Sequence, residues 1–104
     1  MKKFLPLLFL IAACETPTVT YRYEVSGTSN NYSVTMINGQ GGTEQYTTGA
    51  FWSYWEDQDL SRFLYVSAQN NNSSGTVVVK ILQDGSVIKT STCEGGYCIA
   101  TATR

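Results

Sequence analysis

Residues 18–26 have the sequence TVTYRYEVS, and this stretch decides the fold class. Apolar and polar residues alternate along it, which indicates a β-strand with one buried face, because successive side chains of a strand point to opposite sides. Arg22 and Glu24 fall on the polar face together with threonine and serine. The apolar face comprises Val19, Tyr21, Tyr23 and Val25.

Further short segments of the same kind follow this strand, and turn signals separate them. Predicted strands occupy residues 32–36, 43–48, 62–69, 76–82, 86–92 and 97–103. The run at 62–69 is apolar on both faces, so its pattern does not decide which face points inward. Asn38-Gly39 and Asp84-Gly85 are hairpin signals, since these dipeptides suit the tight turns between antiparallel strands. We expect loops at Glu56–Asp59 and at Asn70–Gly75, and we interpret the asparagines 70–72 as a solvated turn. The sequence therefore predicts an all-β fold, a single immunoglobulin-like β-sandwich of seven to eight short antiparallel strands.

The predicted core of this sandwich follows from the apolar positions of the strands. Its residues are Val19, Tyr21, Tyr23, Val25, Val34, Met36, Trp52, Leu64, Val66, Val77, Val79 and Ile81.

The N-terminal segment predicts export and a lipid anchor. Lys2 and Lys3 precede an apolar run that is too short to span a bilayer, as in a bacterial signal peptide. Ile11-Ala12-Ala13-Cys14 resembles a lipobox, in which the cysteine receives a diacylglycerol and becomes the first residue of the mature protein. The alternative is an ordinary signal peptide followed by a structural cysteine. The predicted organisation is signal peptide 1–13, lipidated cysteine and tether 14–17, and β-sandwich 18–104.

Composition agrees with a small extracytoplasmic β domain. Charged residues make up 14% of the chain, against about 25% in an average domain. Loss of Lys2 and Lys3 with the signal peptide would leave five basic and eight acidic residues. An acidic balance without a basic patch predicts no nucleic-acid partner.

Two cysteines remain once Cys14 is assigned to lipid. Cys93 and Cys98 flank the sequence EGGY, which we interpret as the loop of a hairpin that a disulfide closes. Such a bond persists in the oxidising compartments outside the cytoplasm. Free thiols and metal ligation are the alternatives, although two thiolates without histidine do not complete a tetrahedral zinc site.

An aromatic segment supplies the candidate binding patch. Aromatic side chains occupy both faces of residues 51–55, which predicts that one face is left at the surface, where exposed aromatic clusters mark contacts with partners, glycans or membranes. The alternative is that Trp52 fills the core while the other side chains cover its rim. The candidate patch consists of Phe51, Trp52, Tyr54, Trp55, Phe63 and Tyr65.

Catalysis has little support in the sequence. The chain contains no histidine, so it lacks the commonest general base and every triad that depends on one. Glu56, Asp57 and Asp59 cluster, and we interpret them as a solvated acidic turn, with a weak calcium site as the alternative. We predict a protein that is not an enzyme and that has no cofactor, no catalytic residue and no metal site.

Four segments together resemble the soluble domain of the MmpS family of small membrane proteins. They are YEVSG at 23–27, LYVSAQN at 64–70, GTVVVKI at 75–81 and Asp84-Gly85. The resemblance covers roughly Val19 to Thr103 and implies an immunoglobulin-like sandwich outside the cytoplasmic membrane. Family members work beside transporters of the resistance-nodulation-division class. They commonly keep an uncleaved transmembrane helix, whereas this chain has a lipobox.

The expected function is that of a lipid-anchored accessory or adaptor protein in the bacterial envelope, beside an export complex of that class. Its partners would be the membrane, through the N-terminal lipid, and an envelope transporter or other envelope protein. Glu15 follows Cys14 in place of the aspartate that retains some lipoproteins in the inner membrane, which favours the outer membrane slightly. The alternative function is a binding module for a glycan, a small ligand or a protein partner through the aromatic patch.

Overall fold

The computed structural model describes residues 17–104, which form eight β-strands. The strands are β1 (Thr18–Gly27), β2 (Tyr32–Ile37), β3 (Thr43–Thr48), β4 (Trp52–Asp59), β5 (Tyr65–Asn70), β6 (Thr76–Gln83), β7 (Ser86–Glu94) and β8 (Ile99–Thr103). Sheet A has the strand order β4-β1-β6-β7, and sheet B has the order β3-β2-β5-β8. All pairings within the two sheets are antiparallel. The predicted all-β sandwich is confirmed, and it has eight strands.

β1 takes an inner position in sheet A because its apolar face meets apolar faces on both neighbours. Its register places Tyr23 opposite Tyr54 of β4 and opposite Ile81 of β6. Tyr21 and Tyr23 are both buried. The Tyr23 hydroxyl donates to the carbonyl of Ile37 at 2.9 Å, so its burial leaves no unpaired donor.

The core lies between the two sheets and draws on both. The predicted core residues are buried, except that Val19 and Trp52 are only partly buried and pack against its edge. Further residues of sheet B complete the core, three of them alanines. The buried residues outside the predicted set are Tyr32, Ala68, Ala100 and Ala102, together with the polar Ser29 and Asn70.

The connections between strands gather at two ends of the sandwich. The end where β1 begins, which we call the near end, also carries the β2–β3, β4–β5 and β6–β7 connections. The opposite end, the far end, carries the β1–β2, β3–β4, β5–β6 and β7–β8 connections. Thr18 and Thr103 both lie towards the near end, because each occupies the near-end terminus of its strand.

The predicted loop at Glu56–Asp59 is wrong, because these residues continue β4. β4 pairs with β1 without interruption from Val25↔Trp52 to Thr18↔Asp59. The alternation of the aromatic segment therefore extends through the acidic residues, which places Glu56 and Gln58 on the inward face and Asp57 and Asp59 on the outward face.

The predicted loop at Asn70–Gly75 is wrong at its first residue, which is not solvated. Asn70 is the last residue of β5 and is fully buried. Its side chain accepts hydrogen bonds from Ser29 Oγ at 2.7 Å and from the Asn72 amide at 3.0 Å. It donates to the carbonyls of Ser74 and Gly95, each at 3.0 Å. One amide thus ties together three far-end connections, and this explains how a polar side chain is buried there.

The predicted hairpin around Cys93 and Cys98 is also wrong, because β7 and β8 belong to different sheets. β7 pairs with β6 in sheet A, whereas β8 pairs with β5 in sheet B. The segment between the cysteines is therefore a crossover at the far end. A two-residue positive-φ turn at Asp84-Gly85 does form the predicted hairpin between β6 and β7, with φ values of 50° and 88°.

Candidate functional site

The structure distributes the six residues of the candidate aromatic patch over several surfaces. Trp52 and Tyr54 point inward from β4 and pack against the core. Trp55 points outward from the same strand and is 61% exposed. The remaining three members of the set are Phe51, exposed beside the far end of β4, Phe63, exposed on the β4–β5 connection, and Tyr65, half-buried on β5.

Trp52 and Tyr54, the inward-facing members of the candidate patch, lie beside side chains of β3 at one lateral opening of the sandwich. β3 and β4 are the edge strands of the two sheets on the same side, and their inward residues are only half-buried. We call this opening the β3–β4 seam. Its residues are Glu44, Tyr46 and Thr48 from β3, with Trp52, Tyr54, Glu56 and Gln58 from β4.

Stacked aromatic rings form the far-end half of the β3–β4 seam. The ring centroids of Tyr46 and Trp52 lie 5.5 Å apart, and those of Trp52 and Tyr54 lie 6.4 Å apart with nearly parallel planes. Tyr23 extends the stack into the core at 6.2 Å from Tyr54. These separations are typical of favourable aromatic pairs, so the stack holds the two edge strands together across the opening.

Carboxylates occupy the near-end half of the seam. Glu44 accepts hydrogen bonds from the Tyr46 hydroxyl and, at 2.7 Å, from Asn38 Nδ2. These two donors hold the pKa of Glu44 below its usual value. The same contact with Glu44 raises the pKa of Tyr46. The pair therefore consists of an ionised carboxylate and a neutral phenol at neutral pH.

Glu56 faces the interior from β4 at the same level. Gln58 Nε2 donates to it at 2.5 Å, and Arg62 Nε donates in turn to Gln58 Oε1 at 3.2 Å. Burial raises the pKa of Tyr54, and its hydrogen bond to Glu56 raises it further. The cavity beneath these residues has a volume of about 10 Å³, room for about one water molecule. The seam is thus packed inside, and a ligand would contact its outer rim.

Sequence reasoning missed the contribution of β3 to this seam. The only available signal was the alternation of Glu44 and Tyr46 within the short polar strand TEQYTT. A strand that carries one aromatic residue among polar ones predicts an exposed edge, and here that edge faces the aromatic edge of the other sheet.

A separate apolar row crosses the outer face of sheet A. The register aligns Trp55 of β4 with Arg22 of β1, Arg22 with Leu82 of β6, and Leu82 with Val87 of β7. Val87 is 50% exposed. Arg22 interrupts the row, and its guanidinium lies 3.4 Å from Glu24. This arrangement separates Trp55 from the aromatic stack by the thickness of the sheet.

The far end carries an open polar depression between its connections. Asn72 Nδ2 donates to Asn30 Oδ1 at 2.9 Å, and Asn71 Nδ2 donates to Asn31 Oδ1 at 3.0 Å. Thr28, which lines the depression, shares a hydrogen bond of 3.2 Å between its hydroxyl and that of Thr76. Its polar side chains therefore hold adjacent loops together.

The disulfide predicted between Cys93 and Cys98 is confirmed. Their Cα atoms lie 6.0 Å apart, within the usual range for a disulfide. Cys93 belongs to β7, and Cys98 directly precedes β8, so the bond joins sheet A to the strand that enters sheet B. The predicted signal peptide at 1–13 and the predicted lipidated Cys14 lie outside the described residues.

Across residues 17–104, no helix has the length and apolar character needed to cross a membrane. The same residues contain no group of three or more histidine, cysteine or acidic side chains that could hold a metal ion. Every buried side-chain nitrogen or oxygen in this range has a hydrogen-bond partner. Comparison with known proteins finds no family model and no curated protein that matches the chain.

Proposed function

We propose that this chain is a lipid-anchored, non-enzymatic protein of the bacterial envelope that acts as an accessory to a membrane-embedded complex. The resemblance to the MmpS family suggests an export complex of the resistance-nodulation-division class. The lipobox at Cys14 and the sandwich that follows it are the two parts of this proposal.

One contact carries the proposal. The amide of Leu60 donates to the carbonyl of Pro17 at 3.1 Å, so the last residue of the tether is bound to the folded domain. Only the chain from Cys14 to Pro17 can then separate lipid from domain, and an extended chain of this length spans about 10 Å. A domain held so close to the bilayer suits a partner in the membrane and does not suit a target far from it.

The packing of the domain supports a role without catalysis. Small-molecule sites are usually enclosed clefts of about 300–1,000 Å³. The cavity beneath the seam has only about 10 Å³, whereas the wider depressions, about 400 Å³ at the near end and about 930 Å³ at the far end, lie open at the surface. The carboxylates at the seam are hydrogen-bonded to neighbouring side chains. Recognition would therefore use the outer surface.

Acylation is tested by the substitution Cys14→Ser. We expect the native protein to incorporate labelled palmitate in cells and to fractionate with membranes. The variant should incorporate none and should leave the membrane fraction, because the diacyl group provides the stable anchor. Palmitate incorporation that persists in the variant would contradict the assignment of Cys14.

The adaptor role is tested by tether length. A flexible linker of about 20 residues inserted after Thr16 keeps the contact between Pro17 and Leu60 but lowers the effective concentration of the domain at its partner. The matched control places the same linker between Gly49 and Ala50, in an exposed far-end connection. We expect the export of the complex's substrate by cells to fall with the insertion after Thr16 and to stay unchanged with the insertion between Gly49 and Ala50. Equal activity of the two insertions would exclude a role that depends on proximity to the bilayer.

The alternative function is a binding module, and the β3–β4 seam favours it. Half-buried aromatic rings beside the carboxylates of Glu44 and Glu56 form a surface that suits a sugar ring or a cationic group. Tryptophan fluorescence tests this function through titration with glycans and with cationic ligands. We expect Tyr46→Ala to abolish any response that arises from the seam, and Trp55→Ala to leave it unchanged.

A further inference from the structure

The connection between β4 and β5 presents two large apolar side chains at the near end. This near-end loop comprises residues 60–64. Leu60 is 42% exposed and Phe63 is 54% exposed, whereas Leu64 turns inward and is buried in the core. Leu60 is also the residue whose amide bonds to Pro17, so this end of the loop lies beside the tether.

Hydrogen bonds hold the near-end loop in this conformation on its β1 side. The carbonyl of Leu60 accepts from the Tyr21 hydroxyl at 3.1 Å, and the amide of Arg62 donates to the carbonyl of Asp59 at 3.0 Å. The second of these bonds closes a four-residue turn with Leu60 and Ser61 at its tip.

Arg104 holds the other side of the loop. Its backbone amide and carbonyl pair with those of Leu64, both at 3.0 Å. Its guanidinium donates to the carbonyl of Arg62 and, at 2.6 Å, to the Tyr21 hydroxyl, and it lies 4.8 Å from the centre of the Tyr21 ring. The loop is therefore fixed before it meets a partner, which reduces the entropy lost on binding.

The charges around the loop do not favour attraction to an anionic surface. Asp59 and Asp84 lie at the same end of the sandwich and are exposed. The guanidinium groups of Arg62 and Arg104 hydrogen-bond to neutral partners, and their two positive charges balance the two carboxylates. A partner that recognises this end would do so through apolar contact.

We propose that Leu60 and Phe63 insert into the interfacial region of the same bilayer leaflet that holds the lipid on Cys14. The inference rests on the lipid anchor of the proposed function and adds to it a second point of attachment. A tether of about 10 Å brings the near end to the headgroups, and side chains of interfacial proteins enter the leaflet by about 5–10 Å. The acyl chains and the loop together would fix the orientation of the sandwich, with its far end directed away from the membrane.

A bilayer suits this surface better than a protein groove does. The two side chains lie three positions apart on one tight connection beside the point where the tether enters the fold. A lipid surface lies within reach of this point whenever Cys14 is acylated, whereas a protein partner would need to bind in the narrow space between the domain and the headgroups.

The experiment places a fluorescent reporter within the loop and leaves both apolar side chains in place. Full-length lipoprotein carrying Ser61→Cys is purified from membranes, and a polarity-sensitive fluorophore is attached to the new thiol, since Cys93 and Cys98 are joined in a disulfide. The protein is reconstituted into phosphatidylethanolamine–phosphatidylglycerol vesicles that contain lipids with a nitroxide near the headgroup. Quenching of the fluorophore then measures its contact with the interface.

We expect strong quenching in the otherwise native protein and a fall of about twofold or more when Leu60→Ser and Phe63→Ser are added, because the reporter leaves the interface with them. The matched control replaces Phe51 and Tyr97, two exposed aromatic residues of the far end, with serine. This control should retain full quenching, and added salt should leave the quenching of the native protein unchanged.

The outcomes separate the two proposals. Palmitate labelling of the same preparations establishes whether the anchor is present, and its absence would overturn both the proposed function and this inference. An acylated protein whose reporter is not quenched, or is quenched equally with and without Leu60 and Phe63, would overturn the insertion alone. Circular dichroism of each variant shows whether the sandwich is intact.

Discussion

Replacement of Asn70 should destabilise the domain more than any other single polar substitution at the far end. The side chain is fully buried and makes four hydrogen bonds, with Ser29, Asn72, Ser74 and Gly95. Asn70→Ala removes all four and leaves a cavity lined by polar groups. Each buried hydrogen bond contributes about 1 kcal/mol net, and Ser29 Oγ keeps its other bond to the Ser74 carbonyl. We therefore expect a loss of about 3–4 kcal/mol.

Thermal unfolding provides the measurement. A loss of about 3 kcal/mol lowers the Tm of a domain of this size by about 12 °C or more. Asn71→Ala is the matched control, because Asn71 is the adjacent asparagine and its side chain also bonds, to Asn31 and Ser33, but at the protein surface. The control should lose no more than about 1 kcal/mol.

Asn70→Asp adds a dependence on pH. The new carboxyl would keep the acceptor contacts with Ser29 and Asn72 but would bring a buried charge, and burial raises the pKa of a carboxyl group. The folded state then binds the proton more tightly than the unfolded state, so the stability of this variant should fall as pH rises above about 4. Equal Tm values for Asn70→Ala and Asn71→Ala, or a stability of Asn70→Asp that rises with pH over this range, would refute the reasoning.

Three further predictions concern the disulfide, two glycines and one tyrosine. Replacement of both Cys93 and Cys98 with serine should lower the free energy of unfolding by about 2 kcal/mol and leave the fold intact, since the closed loop is short; mass spectrometry of a non-reduced digest identifies the bond. Gly27→Ala should prevent stable folding, because the new Cβ would overlap the Thr76 carbonyl and the residue has a φ of 145°. Gly85 has a φ of 88° but open space around it, so Gly85→Ala should lower the free energy of unfolding by only about 1–2 kcal/mol. Urea unfolding measures both effects. Because the pKa of Tyr54 is raised in the fold, stability should fall as pH rises above about 10, and Tyr54→Phe should reduce this loss in alkaline melts monitored by circular dichroism.

The sequence was sufficient for the strands that have one buried and one exposed face. Period-two alternation identifies the buried face of β1 and core positions on β2 and β6, because these strands bury one face against the other sheet. It does not decide the inward face of β5, where Ala68 and Asn70 were missed. It also identifies the Asp84-Gly85 hairpin, whose turn depends only on local backbone preferences.

Features that depend on the pairing of distant strands were not predictable in this way. The local sequence around Glu56 is typical of an acidic loop, and only the pairing of β4 with β1 shows that it lies in a strand. The local sequence at Asn70 is typical of the start of a polar loop, and only the convergence of three connections on its amide explains its burial. Strand order decided the position of the candidate site as well. No local pattern shows that β3 and β4 are edge strands on the same side, so the seam between Tyr46 and Trp52 was not visible in the sequence.

The disulfide and the seam lie on opposite sides of the sandwich, and this asymmetry has a mechanical consequence. The covalent bond between Cys93 and Cys98 joins the sheets beside β7 and β8, whereas stacked aromatic rings join them beside β3 and β4. Local opening begins where the fewest constraints must be broken. The two sheets should therefore separate first on the side of β3 and β4, while the disulfide holds them together on the other side. Amide hydrogens of β4 should then exchange with solvent before those of β6.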